Sequence, residues 1–383
     1  MSATPPRLEI DRLIDDRRTR IIVCCGSGGV GKTTTAAAIG LRAAERGRQV
    51  CVLTVDPARR LAQSMGLTSL DNTPRRVEGV EAGGNGSLHA MMLDMKRTFD
   101  EIVEAHADPA RAAQILANPF YQSLSSSFAG TQEYMAMEKL GQLRRSDEWD
   151  LIVVDTPPSR SALDFLDAPE RLGRFLDGRL IRLLASPVRA GRPFTKVINA
   201  GFTMMTGALT KLLGGQLLRD AQTFITAFDT LFGGFRERAD ATYRLLQAPG
   251  TAFLVVAAPE PDALREAAYF VERLGEERMP LAGLILNRVH RLPASRLSAP
   301  RSLAAAETLE AGTLEPDGHQ VAVAALRLHA ERMTLSEREQ RVAGAFTSAH
   351  PAVPVAEVAA LPVDVHDLKG LRRLAKDLAG LGR

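Results

Sequence analysis

Apolar residues along this chain fall into short unbroken runs separated by longer stretches of helical character. Seven segments read as strands: Arg20–Cys25, Gln49–Val55, Leu88–Asp94, Asp150–Asp155, Thr251–Ala257, Leu281–Asn287 and Pro354–Ala359. Four of them (IIVCC, VCVLTV, LIVVD and FLVVAA) are apolar at consecutive positions, as strands buried on both faces should be. Helical patterns between most of them make βαβ units. The expected fold is therefore α/β, a doubly wound and mostly parallel sheet. The rhythm breaks between Ser161 and Gln247, a stretch containing Leu, Phe and Met with Gly and Pro punctuation and no strand alternation. It predicts a helical insertion subdomain. A second, shorter insertion spans His290–His350, with a polar linker near Glu307–Gly318. The predicted organisation is an N-terminal extension (1–19), a first core part (20–160), the helical insertion (161–248), a second core part (249–290), a helical and linker insertion (291–350), and a last strand with a C-terminal helix (351–383).

Composition narrows the class. The 383 residues are 45% hydrophobic and 24% charged, which fits a globular protein with a sizeable core and excludes low-complexity disorder. Lys and Arg number 48 against 45 Asp and Glu, a net charge of +3. That is too mild for a nucleic-acid-binding face, and no nucleic acid is expected. Cys24, Cys25 and Cys51 form no Cys-x-x-Cys pair, so a reducing cytoplasm fits better than a disulfide framework. The first 20 residues lack the apolar run of a secretory signal. The most apolar long stretch, Val197–Leu218, carries Lys211 and several Thr and Gly, and reads as a buried or groove-lining segment rather than a membrane span.

The chemistry concentrates after the first strand. Gly26-Ser27-Gly28-Gly29-Val30-Gly31-Lys32-Thr33 fits G-x-x-x-x-G-K-[ST] between a predicted strand and a predicted helix, the context this phosphate-binding motif requires. Glycines let backbone N–H groups wrap phosphates without Cβ clashes. The helix that follows, with Thr33 and Thr34 in its first turn, points its positive end at them. Lys32 is placed to reach the β- and γ-phosphates, and the Thr33 hydroxyl to hold Mg²⁺. Asp56 ends the second predicted strand and Asp155 the fourth. Both belong at the carboxyl edge, where open α/β sheets bind ligands. Asp155 is the candidate for a water-mediated contact to Mg²⁺, and Asp56 for orienting an attacking water. Each could instead be a strand-end cap; three such sites in sequence favour the catalytic reading.

The segments GSGGVGKTT, VDPARRLA, DTPPSRSALDFLDAP, AAPEPDALREA and LILNRV, in this order, resemble the arsenite-pump and tail-anchored-protein-targeting ATPases, which carry a deviant form of the phosphate loop. The resemblance runs from Ile21 to Leu378, and the chain looks like a divergent, bacterial-type member. It implies a P-loop NTPase sheet with a helical subdomain, ATP with Mg²⁺, and hydrolysis that depends on a dimer. It also implies that Asp56 is the water-positioning Asp of the first switch, Asp155 the Asp of the second, Asn287 the residue that recognises adenine, and Pro362 part of a late loop near the base.

Departures from the family pattern shape the rest of the reading. The family's loop begins G-K-G-G, and its first Lys reaches into the partner's site; here that position is Ser27. A cation in that role is typically worth roughly 10³–10⁵ in rate. The expected answer is an asymmetric pair in which a lysine-bearing paralogue completes the site. The alternatives are a slow homodimer or substitution by Arg59 or Arg160. The second switch reads DTPPSRS, with Arg160 and Ser161 where the family commonly has Gly and His. The Cys-x-x-Cys that clamps family homodimers with zinc is missing, and His319, His329 and His350 are scattered, so no zinc is expected. The metalloid-binding cysteines are missing too, which argues against arsenite transport. Met204, Met205, Leu209, Leu212, Phe224, Phe228 and Phe232 would suit either packed helices or a groove for a hydrophobic client. Leu368, Leu371, Leu374 and Leu378 form one stripe of the C-terminal helix, read as core packing with at most peripheral membrane contact. The functional expectation is an ATP-hydrolysing dimeric switch coupled to a client or partner. A low-turnover regulatory subunit and a membrane-positioning ATPase of the septum or partition type are the alternatives.

Overall fold

The computed structural model describes residues 5–55, 60–81, 84–119, 121–122, 125, 132–157, 237–292, 296–311 and 316–381. Asp56, Arg59, Arg160, Ser161, the stretch Val197–Leu218 and the insertion's apolar residues from Met204 to Phe232 lie outside them.

The described strands are β1 (Ile21–Cys25), β2 (Gln49–Thr54), β3 (Arg75–Arg76), β4 (Ser87–Met92), β5 (Leu151–Asp155), β6 (Thr251–Ala257), β7 (Leu281–Val289) and β8 (Val355–Ala359). They form one eight-stranded sheet in the order β3-β4-β2-β5-β1-β6-β7-β8. The described helices are α1 (Ile10–Asp15), α2 (Lys32–Glu45), α3 (Arg60–Ser64), α4 (Met95–His106), α5 (Pro109–Leu116), α6 (Gln132–Ser146), α7 (Pro261–Glu276), α8 (Ala299–Ala311), α9 (Pro316–Ala349) and α10 (Leu368–Leu378). Every strand pairing is parallel except that of β3, two arginines lying antiparallel to β4. The fold is thus the expected α/β, mostly parallel sheet. The seven strands expected from apolar runs are present with ends shifted by two residues or fewer. The short β3 has no apolar run to announce it, because both its residues are exposed.

Alternation along β1 explains the two layers. Ile22 and Cys24 pack with α1, α2 and α10, whereas Ile21, Val23 and Cys25 pack with α4, α6 and α7. Each strand feeds two cores, so its sequence reads as unbroken apolar. All three cysteines are fully buried among these residues. Burial raises all three thiols, that of Cys25 to about 12. Residues 237–247, at the end of the predicted insertion, are helical and send Ala239 and Leu246 into the core. The leucine stripe of α10 does the same: Leu371, Leu374 and Leu378 are buried beside α2.

The lower end of the sheet is tied by Arg48. Its fully buried guanidinium donates to the carbonyls of Ile14, Thr19 and Asp150. Desolvation lowers its pKa to about 10.

The second insertion is a helical hairpin. Of the polar linker expected near Glu307–Gly318, residues 307–311 belong to α8 and 316–318 to α9, while 312–315 lie outside the described residues. Proline at a helix's first position has a fixed φ suited to the helix and no missed donor. Pro316 therefore marks a start, not a linker. His329 Nε2 bonds to the Leu297 carbonyl across this hairpin, and His350 packs its ring on Phe346.

Candidate functional site

The phosphate loop leaves β1 at Gly26 and enters α2 at Lys32. Its conformation needs glycine at both ends. Gly26 has φ +144°, and a Cβ there would stand 2.1 Å from the Val256 carbonyl oxygen of β6. Gly31 has φ +93°, and a Cβ there would stand 2.4 Å from Nδ2 of Asn287. The loop is thus seated on β6 on one side and on β7 on the other. Gly26 and Val30 are buried, while Gly28 and Gly29 face out and Ser27 is half-buried.

Helices α4, α5 and α10 are capped by Asp94, Asp108 and Asp367, whose carboxylates each accept an amide of the first turn. The N-terminus of α2, at Gly31, has neither a side-chain cap nor an acidic residue in its first turn; α1 and α7 also lack a cap but carry Asp11 and Asp262 there. The amide donors and positive end of α2 are therefore kept for a ligand anion.

Three predicted residues converge here. Lys32 is buried and donates from Nζ to the Ser27 carbonyl at 2.8 Å, across its own loop. Thr33 Oγ1 donates to Asp155 Oδ2 at 2.7 Å. Thr54 Oγ1, at the end of β2, donates to the same oxygen at 2.9 Å. Asp155 itself is fully buried at the end of β5, in register with Cys24 of the neighbouring β1. Thr156, the next residue, donates both its N–H and its hydroxyl to the Cys24 carbonyl. That pins the chain leaving β5 against the loop's root. A buried carboxylate beside a threonine hydroxyl offers hard oxygens of the kind Mg²⁺ takes, while the helix N-terminus next to them suits an anion. Thr33 and Asp155 would hold the ion, and Lys32 and the loop amides the phosphates.

Thr54 is the residue that sequence reasoning missed. Its signal was faint: a hydroxyl one residue before the conspicuous Val-Asp pair, inside an apolar strand.

Asn287 lies at the loop, buried, with Nδ2 donating to the Val30 carbonyl at 2.8 Å. A register shift between Leu286 and Val289, with Arg288 at φ +63°, bulges this end of β7. Bulges re-aim side chains next to sites. Pro362 is exposed in the turn after β8, on the same carboxyl edge but three strands from β1, about 14 Å across the sheet. Ser27 and Thr34 are placed in the loop and the first turn of α2 as expected. Among the described residues no group of three or more His, Cys, Asp or Glu stands together as a metal site. None of their helices is long and apolar enough to cross a membrane.

A parallel sheet whose first strand ends in this loop, with an uncapped helix, a buried lysine and a strand-end aspartate, defines a P-loop nucleotide-binding protein. Residues 19–333 match the family model of the anion-transporting ATPases, and the chain belongs to that family. Among curated proteins it is similar to "ATPase GET3" of Malassezia globosa, 31% identical over 174 residues, 45% of this chain and 49% of that protein. It is 24% identical over 282 residues to "ATPase GET3" of Ajellomyces dermatitidis, covering 73% of this chain and 76% of that protein. It is 24% identical over 297 residues to "ATPase ARSA2" of Chlamydomonas reinhardtii, covering 76% and 73%. The arsenite-pump and tail-anchored-targeting resemblance read from the motifs is thereby shown.

Proposed function

We propose that this chain is an ATP-binding, Mg²⁺-dependent ATPase that works in the cytoplasm as a nucleotide switch within a dimer of homologous subunits. The carrying observation is the convergence of Lys32, Thr33 and Asp155 on a helix N-terminus with no cap of its own. Family membership and the relatives' names support hydrolysis of ATP.

In this reading Lys32 lets go of the Ser27 carbonyl and turns to the phosphates. Thr33 and, through water, Asp155 hold Mg²⁺, which supplies charge neutralisation at the phosphates. Asp56 orients the attacking water, Asn287 meets the adenine edge, and Pro362 borders the base. The insertion 161–248 is the segment that meets a hydrophobic client. Lys32→Ala should abolish turnover and weaken nucleotide binding, because the phosphates lose their fixed cation. Asp56→Asn should keep binding and stop hydrolysis. Full turnover in the Asp56→Asn protein would refute the switch assignment.

Ser27 supports the asymmetric form of the dimer. Residues 27–29 are the outward flank of the loop, where a partner's side chain could approach. A lysine-bearing paralogue would supply the cation that Ser27 lacks. Purified alone, this protein should bind ATP and turn it over slowly. Adding the paralogue should raise the rate by orders of magnitude, and the effect should vanish when the paralogue's extra Lys becomes Ala. Ser27→Lys should quicken the isolated protein if it self-associates. Brisk activity of the chain alone, lost on Arg160→Ala, would place the missing charge in cis and end the pairing proposal.

A further inference from the structure

Beyond the phosphate loop, the segment that carries Asn287 is held in an unusual way. The bulge at Leu286–Val289 breaks the regular ladder between β7 and β8. The residues that follow are taken up by two buried carboxylates from two different helices. Glu339, on α9, accepts the backbone N–H of His290 on Oε2 at 2.9 Å and the Nδ1–H of the same residue on Oε1 at 2.6 Å. Asp377, on α10, accepts from Arg291 Nη1 on Oδ1 at 3.0 Å and from the Ala359 N–H on Oδ2. Arg291 also donates to the Glu357 carbonyl of β8. Both carboxylates are more than nine-tenths buried as side chains.

Glu339 is a costly choice for mere packing. An apolar residue would cover the sheet edge without desolvating a charge, and such replacements are commonly neutral or stabilising. What a carboxylate adds is direction. It accepts two donors of one residue at once, so it fixes where the backbone of His290 sits. Three residues earlier, Asn287 bonds the loop's Val30 carbonyl. In between stands Arg288, held at positive φ. The chain of contacts therefore runs from the α8–α9 hairpin through Glu339, His290 and the bulge to Asn287 and the phosphate loop.

We infer that Glu339 is a positioning residue for the nucleotide site: it ties the α8–α9 hairpin to the strand end that presents Asn287 to the phosphate loop, so the hairpin's seating sets nucleotide affinity. This rests on the reading of the loop and Asn287 as the ATP site. A partner that grips the hairpin would then act on that site without touching it.

Two readouts separate this from a structural role. Hydrogen–deuterium exchange of nucleotide-free protein reads the coupling with no ligand present, and calorimetric titration with MgATP reads its consequence. Glu339→Ala should speed exchange of the amides in 26–34 and 287–291 and weaken MgATP binding roughly three- to tenfold, the scale of one hydrogen bond lost at a distance. Glu339→Gln, which keeps one acceptor oxygen and loses the other, should fall between wild type and Glu339→Ala. In an Asn287→Ala background the Glu339→Ala change should add nothing further to affinity. If Glu339→Ala fails to fold, His290→Ala reads the same coupling with the backbone bond intact. The inference is overturned if Glu339→Ala lowers the melting temperature while loop exchange stays as in wild type, or if its affinity loss is equally large with and without Asn287. An Asn287→Ala protein with unchanged affinity, together with fast loop exchange in Glu339→Ala, would instead remove the adenine reading of Asn287 and leave the mechanical link standing.

Discussion

Two glycines of the same loop should respond very differently to a single added methyl group. Gly26 sits at φ +144°, and its missing Cβ would lie 2.1 Å from the Val256 carbonyl oxygen, where real contacts do not fall below 3.0 Å. Alanine there must move the loop's root away from β6 by about 0.9 Å, the difference of those two distances. The neighbour is backbone in a central strand, so it cannot rotate aside. The backbone conformation alone costs about 1–3 kcal/mol, and forcing volume into a packed place adds about 1–3 kcal/mol. Gly29 has φ +77° with nothing within 4 Å of its Cβ position, so Gly29→Ala carries only the left-handed penalty of about 1–2 kcal/mol. Urea denaturation should therefore place Gly26→Ala clearly below Gly29→Ala in stability. The functional gap should be wider, because a displacement near 1 Å can cost on the order of 100-fold when groups must be held in place for reaction. MgATP turnover and calorimetric affinity, measured on both variants, test this. Equal stability and equal affinity for the two would refute the seating of the loop on β6.

Asn287 offers both a donor and an acceptor to a base edge, so the proposed adenine contact predicts tighter binding of ATP than of GTP; equal affinities in a titration would remove it from the site. The three buried thiols predict a pH dependence of stability. Burial holds Cys24, Cys25 and Cys51 protonated in the native state, Cys25 up to about 12, whereas the unfolded chain releases those protons above about 8.5. Between those values the unfolded state binds fewer protons, so stability falls as pH rises, by roughly 1.4 kcal/mol per pH unit for each thiol. Urea unfolding from pH 8 to pH 10 should show that decline, and the Cys24→Ala, Cys25→Ala, Cys51→Ala triple variant should flatten it; an unchanged slope would contradict the burial argument. For the same reason the native protein should resist thiol labelling at pH 8 until it is unfolded.

Much of this architecture was legible because its signals are local. A strand buried on both faces writes itself as consecutive apolar residues, and IIVCC, VCVLTV, LIVVD and FLVVAA did so within a few positions of their true ends. The phosphate loop was legible because its chemistry demands particular residues at fixed spacing. β3 was not, since its two exposed arginines pair only through their backbone with β4. The hairpin helices blurred into a linker because polar residues between Glu307 and Gly318 look the same on a solvated helix as in a loop.

The illegible parts of the site share a cause. Thr54 meets Asp155 across 101 residues of sequence and His290 meets Glu339 across 49, and no spacing rule connects such pairs. A buried carboxylate on a long helix reads as one more charge on an exposed face until its partner is known. Yet these contacts decide where the legible residues stand. Thr54 joins Thr33 in sharing one Asp155 oxygen, so the aspartate's orientation depends on β2 as well as α2. Asn287 meets the loop from a bulged strand end, and two helices hold the residues that follow it. The motif supplies the groups proposed to meet the phosphates, and the distant carboxylates of Glu339 and Asp377 hold the strand end beside them. If the proposed switch is right, that hold is the property a partner would change.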